Sequence, residues 1–141
     1  MIHPNKLRTV AALAILGMIA TAAPAATIYV STTGNGSTGD SWTNAYTNVT
    51  AALAATAVTQ EDDEIWIATG TYAEAAPLLP TTNTAIYGGF VGNEPSGYDK
   101  SLRAVFATPT TITVSVLPNR VIDMSGAAAN YLFDGIVVAG G

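Results

Sequence analysis

The stretch Glu61-Asp62-Asp63-Glu64-Ile65-Trp66-Ile67-Ala68-Thr69-Gly70 is where the chain changes its period. Upstream, Tyr46, Val49, Leu53 and Ala57 recur at helical spacing, and Ala51, Ala52, Ala54 and Ala55 raise helix propensity. They predict one amphipathic helix over about 44–58, N-capped by Thr43 or Asn44. Beyond the acidic run the period drops to two. Ile65-Trp66-Ile67-Ala68 reads as a strand closed by Thr69-Gly70.

Short apolar runs continue on both sides of that point. Ile28-Tyr29-Val30 reads as an early strand, followed by a Gly-, Ser- and Asn-rich loop over Ser31 to Ser41. Later runs fall at Thr84–Phe90, Thr110–Val116, Arg120–Met124 and Tyr131–Val138. Turn signals separate them: Leu79-Pro80, Gly92-Asn93-Glu94-Pro95, Leu117-Pro118-Asn119 and Ser125-Gly126. One helix followed by many short strands predicts a mostly β protein.

A β-sandwich would place such strands about 8–12 residues apart. A parallel solenoid would repeat them over coils of roughly 20–30 residues. The runs centred near Ile67, Ile86, Thr111 and Ile136 recur at the longer of these intervals, which favours the solenoid. The early helix fits as well, because a solenoid's first coil exposes its apolar interior and needs an atypical element to cover it. Trp42, Tyr46, Val49 and Leu53 are the residues expected to pack that cap.

Residues 1–25 have a different build. Lys6 and Arg8 form a basic head, Val10–Ala23 an apolar run, and Ala23-Pro24-Ala25 a small-residue A-x-A site. This is the pattern of a secretory signal peptide cleaved after Ala25. The run is shorter than the roughly 20 residues a membrane-spanning helix needs, so no stable span is expected after cleavage. The mature region, 26–141, then keeps three cations (Lys100, Arg103, Arg120) against ten acids, a net charge of −7. That balance excludes a nucleic-acid partner, which requires clustered cations. His3 is the sole histidine and there is no cysteine, so imidazole catalysis, thiol chemistry and disulfides are excluded from 26–141.

The string Ser41-Trp42-Thr43-Asn44-Ala45-Tyr46, then Ala52-Leu53, Asp63–Ala68 and Gly70-Thr71-Tyr72, resembles the N-terminal cap and first coil of secreted right-handed parallel β-helix proteins. Those belong to the pectin-lyase-like superfamily and to surface proteins related to the polymorphic outer-membrane proteins. Ala85-Ile86-Tyr87-Gly88-Gly89-Phe90 with Gly92-Asn93-Glu94, and Leu132-Phe133-Asp134-Gly135-Ile136-Val137-Val138-Ala139-Gly140-Gly141, extend the likeness to residues 27–141. The resemblance implies a right-handed β-helix start with one N-terminal capping helix, an incomplete solenoid on a bacterial secreted or cell-surface protein. Its implied role is structural, adhesive or carbohydrate-binding, with an extracellular polysaccharide or a cell-surface partner. The alternative it carries is the N-terminal part of a polysaccharide lyase or glycoside hydrolase whose active site lies beyond Gly141. The apolar last strand, Ile136–Ala139, is expected to continue into further coils or to self-associate.

Sites of chemistry are sparse in the sequence. Glu61, Asp62, Asp63 and Glu64 are calcium candidates, against the plainer reading of a solvated turn. Asp123 and Asp134, with Arg120 near the first, are the strand-associated acids, and they lie about half a coil apart, which does not stack them in neighbouring coils. No catalytic residue and no cofactor is assigned. Trp42, Trp66, Tyr72, Tyr87 and Phe90 suit either sugar stacking or packing of cap and corners.

Overall fold

The computed structural model describes residues 25–59, 62–80, 83–115, 120–125 and 130–140. Residues 1–24 of the expected targeting segment 1–25, Glu61, the turn Leu117-Pro118-Asn119 and Gly126 lie outside the described residues. Among the described residues, seven strands and one α-helix follow in chain order: β1 (Thr27–Val30), α1 (Val49–Thr59), β2 (Asp63–Ala68), β3 (Gly70–Glu74), β4 (Thr84–Phe90), β5 (Thr110–Val114), β6 (Tyr131–Asp134) and β7 (Ile136–Val138). The fold is mostly β, and its strands form two parallel sheets, β1-β2-β4-β6 and β3-β5-β7.

The chain alternates between the sheets. Each pair, β2–β3, β4–β5 and β6–β7, places one strand in the first sheet and the next in the second. Register aligns like with like. Ile28, Ile65, Ile86 and Phe133 are successive partners across the first sheet, as are Tyr72, Ile112 and Val138 across the second. Ile65, Ile67, Ile86 and Ile112 are fully buried in one cluster with Val30, Val49 and Leu78. Leu78 and Ile122 form a further parallel bridge outside the named strands.

Differences from the sequence reading have local causes. The helix begins at Val49, not near residue 44, because the backbone of Tyr46 is already committed: its N–H donates to Tyr29 O and its carbonyl accepts from Ser31 N–H. Asn48 is the cap in place of Thr43 or Asn44, its Oδ1 accepting from Ala51 N–H at 2.8 Å. The chain does not close at Gly70; it turns a corner there and runs directly into β3. Arg120–Met124 shrinks to the single bridge at Ile122. Tyr131–Val138 splits at Gly135, whose φ of 70° lets the chain leave one sheet for the other.

Buried polar groups fasten the corners. Thr110 Oγ1 accepts from Gly89 N–H at 2.9 Å and donates toward Ala68 O at 3.1 Å, linking both sheets. Tyr72 Oη donates to Ala68 O at 3.0 Å, and burial pushes its hydroxyl pKa up to about 12. Neighbouring corners approach closely: a Cβ on Gly88 would collide with the Gly135 carbonyl and lie 2.8 Å from Thr110 Cβ.

Helix α1 packs on β1, β2 and β3, and Val49, Ala52 and Leu53 join the aliphatic cluster with Tyr46 against it. Trp42, expected beside them, packs elsewhere, on the outer face of the first sheet. The helix start is held by an acid distant in sequence. Glu74, 2% exposed on β3, accepts from Val49 N–H at 2.8 Å, from Thr50 N–H at 3.3 Å and from Thr50 Oγ1 at 2.7 Å. It satisfies donors that every helix start leaves open and sets a negative charge at the positive end of the dipole. Glu74→Ala is therefore expected to cost about 2 kcal/mol, by leaving buried donors unpaired. A urea titration followed by helical circular dichroism checks this, and an unchanged midpoint contradicts it.

Candidate binding face

Parallel strands need cover on both faces. On the outer face of the first sheet, Tyr29, Trp66, Tyr87 and Asp134 are register partners on successive strands. Trp66, Tyr87 and Phe90 are buried there, with Tyr29, Trp42, Ala85 and Tyr98 packed around them. The rings interlock. Trp66 stacks on Phe90 at 4.5 Å, Trp42 meets Tyr29 edge-on at 4.7 Å, and Tyr98 meets Phe90 edge-on at 6.3 Å.

The cover comes from residues 91–109, which leave β4 and return to β5. Asp99 Oδ1 accepts from Ser101 N–H at 2.9 Å and caps a short 3-10 turn, Lys100–Leu102. That bond holds its carboxyl below the usual carboxylate range. The turn aims two cations back at the sheet. The Lys100 ammonium sits 4.5 Å from the Tyr87 ring centre and pairs with Glu64 on β2. Burial opposes its charge, but Glu64 outweighs that and raises its pKa. The Arg103 guanidinium lies 4.9 Å from the Tyr87 ring centre and 5.3 Å from that of Phe90, and donates to Asp134 Oδ2 at 2.8 Å. One segment thereby ties β2, β4 and β6 together.

Beside this aromatic face opens a cleft of about 570 Å³, lined by Thr33, Trp42, Thr43, Gly92, Asn93 and Glu94. Its walls are fixed by their own hydrogen bonds. Glu94 Oε1 accepts from Val91 N–H at 2.6 Å, and Oε2 accepts from Gly92 and Asn93 N–H at 3.0 and 3.2 Å. On the opposite wall Thr43 O accepts from Asn35 N–H at 3.1 Å. The Glu94 charge is felt at Tyr29, where burial first and Glu94 second raise the phenol's pKa. Trp42 is held by ring contacts, its buried indole N–H having no hydrogen-bond acceptor among the described residues.

The residues singled out in the sequence separate in space. Of the five aromatics that suit either sugar stacking or packing, Trp66, Tyr72, Tyr87 and Phe90 are buried, while Trp42 is partly exposed and lines the cleft. In the acidic run, Asp62 is exposed, Asp63 points inward with Oδ1 accepting from Ala26 N–H at 2.7 Å, and Glu64 points outward to Lys100 and Trp66 Nε1. Adjacent strand residues leave opposite faces, so these acids diverge. Among the described residues no three metal-ligating side chains gather. Asp123 and Asp134 each pair with a different arginine, Arg120 and Arg103. Ala25, the expected cleavage residue, is exposed and lies shortly before β1.

Neither Glu74 nor the Lys100–Arg103 pair stands out as a structural residue in the sequence. A signal was present: no Lys or Arg occurs between Thr9 and Asp99, and then two cations fall close together at Lys100 and Arg103. Arg103→Ala is expected to cost about 2 kcal/mol, since its side chain is 6% exposed and it loses two ring contacts as well as Asp134. Lys100→Ala is expected to cost less than about 1 kcal/mol, its pair being partly exposed and screened by salt. Equal losses in urea unfolding would contradict that ranking. Compared with known proteins, the chain matches no family model, no curated protein and no solved structure.

Proposed function

We propose that this is a secreted or cell-surface protein whose described region begins a right-handed parallel β-helix, with a structural, adhesive or carbohydrate-binding role. The observation that carries the reading is the repeated alternation between two parallel sheets, β2–β3, β4–β5 and β6–β7, each pair stacked in parallel on the one before. Each pair then makes two sides of one coil, and the Leu78–Ile122 bridge supplies a third side. Right-handedness is supported by the strong general preference of parallel crossovers for that hand. The start of the stack is closed by α1 and by Tyr46, which bridges Val30.

Several features agree with an extracellular role. Residues 1–25 have the build of an export signal. Stacked aliphatic ladders stabilise the chain without disulfides, and the acidic net charge favours solubility over binding to anionic surfaces. Among the described strands, β6 and β7 are each paired on one side only, with Leu132, Val137 and Val138 about half exposed. Those edges present unpaired backbone groups that a further strand can pair with. The partner is an extracellular polysaccharide or another surface molecule, engaged on the flank of the rod.

Expression of the full chain with a C-terminal epitope, followed by surface proteolysis and N-terminal sequencing, tests this reading. A protease-accessible protein beginning at Ala26 is expected. Retention of the epitope inside the cell with the segment Met1–Ala25 intact contradicts it.

A further inference from the structure

We infer that the cleft between residues 31–44 and 91–94 binds a neutral saccharide chain, with Trp42 as its aromatic wall; this rests on the carbohydrate-binding part of the function proposed above. Three observations lead there. The first is accessibility: Trp42 is the one of the five candidate aromatics that remains partly exposed and lines an open cleft. The second is size. A volume of about 570 Å³ falls within the usual range for small-molecule sites. The third is the mixture of groups, an indole beside Thr33, Thr43 and Asn93. A sugar ring presents C–H groups on its face and hydroxyls on its rim, so it requires an apolar plate flanked by neutral donors and acceptors.

The cleft is also built before any ligand arrives. Ring contacts to Tyr29 and Phe90 hold the indole, and three backbone N–H groups hold Glu94. Little ordering remains to oppose binding.

Charge decides the class of sugar. Among the described residues no cation lines the cleft, and the one charged side chain lining it is Glu94. The nearby cations of the covering segment are already engaged, Lys100 with Glu64 and Arg103 with Asp134. A uronate chain would bring its carboxylates toward Glu94 with nothing to neutralise them. Neutral hexose or N-acetylhexosamine chains meet no such opposition.

Isothermal titration of the exported chain against neutral hexasaccharides of glucose, mannose and N-acetylglucosamine, with hexagalacturonate as the acidic comparator, tests the inference. At least one neutral probe is expected to bind, and hexagalacturonate about tenfold more weakly or not at all. Trp42→Ala is expected to weaken the neutral probe by about tenfold or more, and Asn93→Ala by about threefold. Asn93 is exposed, so its substitution leaves the fold intact should loss of Trp42 unsettle it. Glu94→Gln is expected to narrow the gap between neutral and acidic probes. Equal or tighter binding of hexagalacturonate overturns the inference. Neutral binding that survives both Trp42→Ala and Asn93→Ala overturns the location while leaving a carbohydrate role standing. Binding of none of the probes overturns both, and leaves export and the stacked architecture to their own test.

Discussion

Ile65, Trp66 and Ile67 leave opposite faces of one strand, and all three are buried. A strand apolar on both faces has to be covered twice, and the rest of the molecule follows from that requirement. Inward, Ile65 lies beside its register partners Ile28 and Ile86, and the second sheet closes over them with Tyr72 and Ile112. Outward, Trp66 lies between Tyr29 and Tyr87, and the 91–109 segment closes over them with Tyr98, Lys100 and Arg103. Parallel register serves both faces together, since a slip by one residue would exchange isoleucine for aromatic across β1, β2 and β4.

The covering segment links the first sheet to the Trp42 cleft. It is tied to three strands of the first sheet by two ion pairs and their ring contacts. The same excursion begins with Gly92, Asn93 and Glu94, which form one wall of the Trp42 cleft. A loop whose far end is anchored by charge can hold its near end still. That is the physical requirement for a preformed recognition site on an irregular segment.

The legible parts of the sequence were those written in local periodicity. The helix, the strands at Ile65, Ile86 and Ile112, and the parallel pairing of the first two could be read from apolar spacing and turn residues. The shift of the helix start to Val49 could not, because it depends on Tyr46 pairing with β1. Strand β3 was hidden because Thr69-Gly70 signals a stop, whereas here it is a corner between two sheets. The placement of Trp42 was equally invisible: it is expected to pack the cap with Tyr46, Val49 and Leu53, but the rings of Tyr29 and Phe90 claim it instead. Long-range pairs such as Glu74 with Val49, or Arg103 with Asp134, leave only the trace of charged residues that are rare in their neighbourhood.

Successive strands of each sheet lie parallel and in register, and the absence of cysteine from the chain gives a clean background for testing that register. Ala85 opposes Leu132 in the first sheet, and Thr111 opposes Val137 in the second. Adjacent strands lie about 4.8 Å apart, close to the Cα separation that a disulfide spans. Paired cysteines at Ala85 and Leu132, and separately at Thr111 and Val137, are predicted to cross-link within the monomer under mild oxidation. A pair slipped by one residue, at Ala85 and Phe133, points to opposite faces and is predicted to remain reduced. Cross-linking of the slipped pair, with both register pairs unreacted, would contradict this register.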